Sequence, residues 1–212
     1  MAYEHLRQAL LEGPLNPGDD LSVVTLCKKL SCSRVPVMEA LKRLEAEGFV
    51  EIIPQVGCRV ATPNVSDVAD FFTLFAAVES TVAGLAAARR TDNDLIEFKA
   101  LCKGIDAQLD SAGGPRDNDP IYRQLNLQLH SAIHRMARSG VASKYAVPLW
   151  DKSDFYIRVA FGSLYFSDFV KRSQRSLRRA IISADQQAAK SAVVTQLHAV
   201  GEQVVRSLKK RA

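Results

Sequence analysis

Residues 21–61 read LSVVTLCKKLSCSRVPVMEALKRLEAEGFVEIIPQVGCRVA. The stretch parses as a helix, a short turn, a second helix and a tight β-hairpin, which is the plan of a winged helix-turn-helix. Ser22 is placed to cap a first helix that carries Leu26 and Leu30 on one face. Ser31 to Val35 make the turn. Pro36 suits the first helical position, where its missing N–H would be unpaired anyway, and it pushes Val35 out of the α region. Val37, Leu41 and Leu44 line one face of the second helix, and Gly48 closes it. Phe49–Ile53 and Cys58–Ala61 read as short strands around Pro54-Gln55-Val56-Gly57, where Gly57 can supply a positive φ. A helix presented N-terminus first behind such a turn is shaped for the major groove of DNA.

The chain carries a formal net charge of +5, but the excess lies outside this motif. Residues 1–63 hold Arg7, Lys28, Lys29, Arg34, Lys42, Arg43 and Arg59 against Glu4, Glu12, Asp19, Asp20, Glu39, Glu45, Glu47 and Glu51, seven against eight. Basic residues collect instead at Lys171, Arg172, Arg175, Arg178 and Arg179 and in the tail Arg206, Lys209, Lys210 and Arg211. There they read best as solvated helix ends that complement the macrodipole. DNA contact therefore has to come from the local placement of Arg34, Lys42, Arg43 and Arg59.

With 212 residues and 47% hydrophobic content, the chain can bury one or two real cores. No run approaches the roughly 18 apolar residues of a membrane helix, so no membrane partner is expected. Tyr3, Leu6, Arg7 and Leu10 look like a helix rather than a signal peptide, so a cytoplasmic protein is expected. Cys27, Cys32, Cys58 and Cys102 have no CxxC spacing and read as reduced packing residues.

After the hairpin, Pro63-Asn64-Val65 breaks the pattern and divides residues 1–63 from 64–212. Ser66 can cap a long helix over about 67–89, rich in Phe71, Phe72, Phe75, Val78, Val82 and Leu85. Thr91 to Asp94 has capping-box spacing and opens a second helix to about Asp110. Ser111 to Asn118 reads as a loop, and Asp119-Pro120 starts a helix reaching Ser139-Gly140. Shorter helices are predicted from about 142, 151, 169 and 186, with no convincing strand after residue 61. The fold class is mainly α: an N-terminal winged helix-turn-helix followed by an all-α bundle.

The run Pro17-Gly18, Leu21, Leu26, Leu30, Ser33-Arg34, Pro36-Val37, Glu39-Ala40-Leu41, Arg43-Leu44, Glu47-Gly48 and Gly57 resembles the GntR family of bacterial transcriptional regulators. The helical remainder, with Asp67, Glu79 and Leu85-Ala86-Ala87, is similar to the FadR-like subfamily and its FCD ligand domain, though more weakly. The resemblance implies a homodimer that binds a palindromic operator and senses a small-molecule effector. It implies DNA contacts from Arg34 at the helix entrance and from the wing tip at Gly57, with Lys42 and Arg43 reaching the backbone. Three positions depart from the family pattern: Val35 stands for a hydroxyl residue, Met38 for arginine, and Val56 for arginine. Gln55 and Arg59 are then the remaining polar reach of the wing.

Many FCD domains hold a divalent metal through an Asp-x-x-x-His pair and two later histidines. The matching positions are Asn126, His130, Gln174 and Gln196, so only one imidazole survives and no metal cofactor is expected. His134, one turn past His130, leaves open as an alternative a rewired site with His130, to which His198 could add. His198 lies two residues past Gln196, about 200° around a helix. The same four positions could line an effector pocket with His134. FCD pockets for organic acids usually carry an arginine four residues before the helix glutamate, and that position here is Phe75. Arg158 or Arg123 could substitute. A metal-dependent helical-bundle enzyme has little behind it, with no nucleophile motif and no phosphate-binding glycine loop. A protein-interaction module is the third reading, prompted by the near-neutral winged half together with Met38 and Val35.

Overall fold

A computed structural model describes residues 1–110, 120–162 and 168–210, and side chains there except at 108–110, 120–123 and 168–172. The loop read from Ser111 to Asn118, the side chains of Arg123, Lys171 and Arg172, and Arg211 lie outside the described residues. Helix α1 (Ala2–Leu11) buries Leu6, Leu10 and Leu11. Strand β1 (Asp20–Leu21) is a feature the sequence reading missed, since two residues are too few to show alternation. Ser22 caps α2 (Val23–Lys29), its Oγ accepting from the Thr25 N–H at 3.3 Å.

Helix α3 (Arg34–Ala46) starts two residues before the predicted point, so Pro36 is its third residue and Val35 is helical. The first four N–H groups of a helix have no internal partner, which lets proline sit there without losing a bond. It also removes the donor that an N-cap serine usually accepts from, and Ser33 indeed makes no side-chain cap bond. Burial of Val37, Ala40, Leu41 and Leu44 outweighs the reluctance of Val35 to be helical before a proline. Gly48 ends the helix at φ 73°, with its N–H on Glu45 O and the Phe49 N–H on Leu44 O, both at 2.8 Å. This is the paired bonding of a Schellman stop, and the left-handed residue in it favours glycine.

Strands β2 (Val50–Ile53) and β3 (Gly57–Val60) form the wing, and β1 adds to β3, giving the antiparallel order β1-β3-β2. The register sets Arg59 opposite both Asp20 and Glu51. In the turn the left-handed residue is Gln55, at φ 63°, and Gly57 follows at 149°.

Helix α4 (Val65–Arg89) is capped by Asn64, whose Oδ1 accepts from the Ser66 N–H at 2.9 Å; Ser66 itself is already inside the helix. Helix α5 (Asp92–Asp110) opens with the predicted capping box: Thr91 N–H to Asp94 Oδ2 at 2.6 Å, and Asp94 N–H to Thr91 Oγ1 at 3.3 Å. Helices α6 (Pro120–Ala137), α7 (Gly140–Phe161), α8 (Asp168–Ile182) and α9 (Gln186–Lys209) complete the bundle. The separate helices predicted from 142 and 151 are one, running through Pro148. Proline deletes one ladder bond, but the buried Ala146, Phe155, Tyr156 and Ala160 hold the helix on either side of it.

Helix α4 is the axis of the bundle, packed against α6, α7, α8 and α9. With 25 residues and a window of mean hydropathy 1.6, it is long and apolar enough to cross a membrane, contrary to the sequence reading. Its apolar faces instead meet protein: Phe72, Phe75, Val82, Ala83 and Ala86 are all at most 2% exposed. The winged unit docks on α7. Arg7 binds Asp151 through Nε at 2.7 Å and Nη2 at 2.5 Å. Lys152 donates to Gly48 O, and Phe49 meets Phe155 edge to face at 5.4 Å.

Candidate nucleic-acid interface and effector chamber

Arg34 is the first residue of α3 and is exposed, at the positive end of the helix dipole. It shares a cleft of about 680 Å³ with Ser22, Val24 and Lys28 on one side and Val56 and Arg59 of the wing on the other. Val35 stands beside it, 66% exposed. Gln55, Val56 and Gly57 form an exposed wing tip, and Lys42 is exposed farther along α3. Lys28 was missed as a site residue; its place in the last turn of α2, facing the wing, becomes evident only when the cleft closes.

Two residues read as DNA contacts are engaged inside the protein. Met38 is half-buried and packs against the core, which takes it out of a purely groove-facing role. Arg43 lies 3.7 Å from the centre of the Tyr3 ring and donates to Glu47 at 3.1 Å. Tyr3 donates to the other Glu47 oxygen at 2.8 Å. Burial, then the bond to Glu47, pushes the Tyr3 phenol up to about 12, so it stays a donor and ties α1 to α3. Arg59 is flanked by carboxylates in the sheet, with Asp20 at 3.9 Å.

Within the bundle, Asn126 and Gln174 do meet: the Gln174 amide donates to Asn126 Oδ1 at 2.9 Å. Gln174 and Gln196 are buried, and Gln196 Oε1 has no hydrogen-bond partner. His130 is 5% exposed, and neither ring nitrogen is bonded. Burial pushes its imidazole down to about 4, with Glu79 pulling the other way, so the ring is neutral near pH 7. Its ring centre is 3.9 Å from that of Trp150. Glu79, 1% exposed, is the charge beneath them: one carboxylate oxygen takes Trp150 Nε1 and His134 Nε2, both at 2.9 Å.

Phe75 is fully buried behind Trp150, 5.0 Å from it edge to face. Arg158 does not enter the chamber as the sequence reading had it. Its guanidinium donates to Gly13 O at 3.0 Å and to Leu15 O, because α7 turns that face toward the winged unit. The cation that sequence reading overlooked is Arg178, one turn past Gln174. It is 5% exposed and bonded to Asp106 at 2.7 Å, with its Nε unpartnered.

This donor set does not fit a transition metal. Two of its members are neutral amides bonded to each other, and a single imidazole lies among the four family positions. His130 and His134 both lie against Glu79, at 3.9 and 2.9 Å, but among the described residues no group of three histidine, cysteine or acidic side chains is arranged to hold a metal ion. Gln196 is buried while His198 is exposed, so His198 faces away from the chamber.

Residues 1–60 match the family described as bacterial regulatory proteins, gntR family, and residues 70–199 match the FCD domain. The chain is 26% identical over 151 residues to the HTH-type transcriptional repressor GlaR of Escherichia coli K12, covering 71% of this chain and 66% of that protein. It is 33% identical over 126 residues to the Nta operon transcriptional regulator of Aminobacter aminovorans, covering 58% and 60%. The chain thus spans less than two thirds of the length of these curated relatives. Among solved structures, E. coli McbR/YncC superposes with a TM-score of 0.71 over 99% of this chain and 96% of that one, at 20% identity. A putative GntR regulator from Rhodococcus sp. RHA1 also gives 0.71, over 96% and 95%, at 21% identity. At such identity these two speak for the fold. Taken with the presented α3 helix, its wing and the helical bundle, the matches establish that the chain belongs to the GntR family of DNA-binding transcriptional regulators, which are not enzymes, with an FCD domain as its second part.

Proposed function

We propose that the protein is a metabolite-responsive repressor that binds a palindromic operator as a homodimer in the bacterial cytoplasm. Residues 1–63 read DNA, and residues 64–212 bind the effector and the second protomer. The observation that carries this reading is the exposed N-terminus of α3, with Arg34 facing the wing across an open cleft. Arg34 is suited to guanine or phosphate. Lys28, Lys42 and Arg59 supply phosphate contacts, Val35 and the half-buried Met38 give apolar contact, and Gln55 and Gly57 reach into the minor groove. Arg43 acts mainly through Tyr3 and Glu47, holding the recognition helix in place. Two-fold symmetry would let two such units reach successive grooves. The repressor sign follows the likeness to GlaR.

The effector chamber is lined by Asn126, His130, Gln174 and Gln196, with Arg178 as its cation and no resident metal. Operator selection with purified protein, followed by sedimentation of the complex and a metabolite screen for release, tests the whole reading. A single protein chain per site, or the absence of any selected sequence, would overturn it.

A further inference from the structure

Between α2 and α3 the chain turns within the four residues Leu30 to Ser33. Ser31 is left-handed, at φ 49°, without being glycine. Its N–H reaches Lys28 O at 3.3 Å, and the Cys32 N–H reaches back to Cys27 O at 3.1 Å. These are the paired bonds of a Schellman stop, with Cys27 and Cys32 as its first and sixth residues. We propose that Cys27 and Cys32 are a thiol modification site, which a hydroperoxide closes into a disulfide that loosens the hold of Arg34 on the operator. The effect on DNA rests on the regulatory reading above; the disulfide itself does not.

The turn brings the two thiols together. A Schellman stop sets the side chains of these two positions on one side, where apolar groups commonly touch. The 3.1 Å bond also limits their Cα–Cα separation. With the Cα–O span at one end and the N–Cα bond at the other, it is at most about 7 Å, and any bend in that path shortens it. A disulfide needs about 4.4–6.8 Å. Both side chains are partly buried, pack against the core and carry free thiols. Cys27 also lines the open cleft beside Lys28 and Arg34, so an oxidant has a path to it. Cys58 and Cys102 are buried, and burial pushes both of their thiols up, away from the reactive thiolate.

The Cys27 thiolate attacks the hydroperoxide: an S–O bond forms, the O–O bond breaks, and the departing oxygen leaves with the thiol proton as an alcohol, or as water from hydrogen peroxide. The Cys32 sulfur then attacks the sulfenic acid. The S–S bond forms, the S–O bond breaks, and hydroxide leaves as water with the Cys32 proton. Two thiols lose two electrons, and the hydroperoxide takes them. The new bond is shorter than any non-bonded sulfur contact, so Cys32 is drawn toward the end of α2. Arg34 stands two residues on, in a helix entrance that the Ser33 side chain does not cap, and it moves with Cys32.

The full-length protein is treated with hydrogen peroxide, alkylated, and digested with trypsin without reductant. Lys28 and Lys29 lie between the two cysteines, and Cys58 and Cys102 fall in other tryptic peptides, so each pairing has its own mass. Most of Cys27 should be recovered linked to Cys32, with Cys58 and Cys102 alkylated, and dithiothreitol should restore both thiols. In Cys32→Ala the sulfenic acid should persist at Cys27 and be trapped by dimedone. Oxidation of wild type should weaken operator binding by about tenfold, the scale of one lost base contact, and reduction should restore it. Cys27→Ala should bind the operator equally before and after peroxide, with far-UV circular dichroism confirming that each variant is folded. Cys27 and Cys32 alkylated separately after peroxide, or Cys27 linked to Cys58 or to a second chain, overturns the thiol pair. Equal operator affinity of the cross-linked and reduced protein overturns the effect on Arg34. Failure to select any operator would instead refute the regulatory reading, leaving the peptide map to decide the site.

Discussion

Replacing Glu79 by leucine would leave two buried donors, Trp150 Nε1 and His134 Nε2, facing an apolar side chain. Each now lies 2.9 Å from one carboxylate oxygen that is almost wholly out of solvent. Hydrogen bonds to an ionised group contribute about 1.5–3 kcal/mol each, and stranding a buried partner costs about 1–3 kcal/mol. These overlap rather than add, so Glu79→Leu should lose about 3–5 kcal/mol, the range found when one member of a buried charged group is removed. Against a total stability of about 5–15 kcal/mol that is a large fraction. Glu79→Gln keeps an acceptor for Trp150 and offers its amide to the histidine in the other tautomer, so it should lose only about 1 kcal/mol. Urea unfolding followed by circular dichroism gives both values, and Trp150 emission gives the local environment. A cycle with His134→Ala isolates the Glu79–His134 coupling. Should Glu79→Leu prove as stable as wild type, the carboxylate is no keystone and the hydrogen-bonded cluster described here is wrong.

Arg34→Ala should weaken operator binding by more than tenfold, since a bidentate base contact is worth about 1–3 kcal/mol, with no change in unfolding midpoint; equal affinity in a gel shift would remove Arg34 from the reading surface. Gly201→Ala should destabilise by about 1–3 kcal/mol in thermal melts even though alanine favours helix. Its added Cβ would lie 2.7 Å from Phe72 Cβ on α4, and an unchanged Tm would show that the α4–α9 contact yields. The Asp94 carboxyl is held down to about 2, first by the Thr91 backbone N–H and then by Arg138. Its folded value lies below the unfolded one, so its contribution is complete above about pH 4 and lost as pH falls toward 2; Asp94→Asn should flatten that acid limb of stability against pH. Chelator treatment should leave both folding and operator binding intact, because neutral amides stand where a carboxylate and two imidazoles would be needed; about one zinc per chain, lost together with activity, would contradict this.

Most of the winged unit was legible because its signals are local. Ser22 and Gly48 act within a few residues of themselves, as does the Thr91–Asp94 pair in the bundle, and these caps and stops form as the sequence suggests. The errors arise where distant contacts decide. Helix α7 runs through Pro148 because neighbouring helices hold both halves, something no local propensity reports. Glu79 sits in the apolar stripe between Val78 and Val82, yet its partners His134 and Trp150 are 55 and 71 residues away. Arg158 was read toward the chamber and instead caps carbonyls about 145 residues earlier. In the chamber, the pairing of Asn126 with Gln174 could be anticipated only by alignment to a motif whose chemistry both residues have left.

Helix α7 presents two adjacent stripes, and their spacing ties the bundle to the winged unit. Asp151, Phe155 and Arg158 recur at helical spacing and meet Arg7, Phe49 and the Gly13 and Leu15 carbonyls. Ser143, Val147 and Trp150, also at helical spacing, line an open recess against α6, and Trp150 donates to Glu79. Residues 150 and 151 are consecutive, so the stripes lie about 100° apart on one rigid rod. A shift of α7 that moves Trp150 therefore also turns or translates Asp151 and the stripe behind it. The two responses cannot be independent, because a packed helix shifts as a body rather than residue by residue. A mutation in the docking stripe that displaces α7 should consequently be felt at Trp150 and, through the Arg7–Asp151 pair, at α1, which holds the recognition helix through Tyr3 and Glu47.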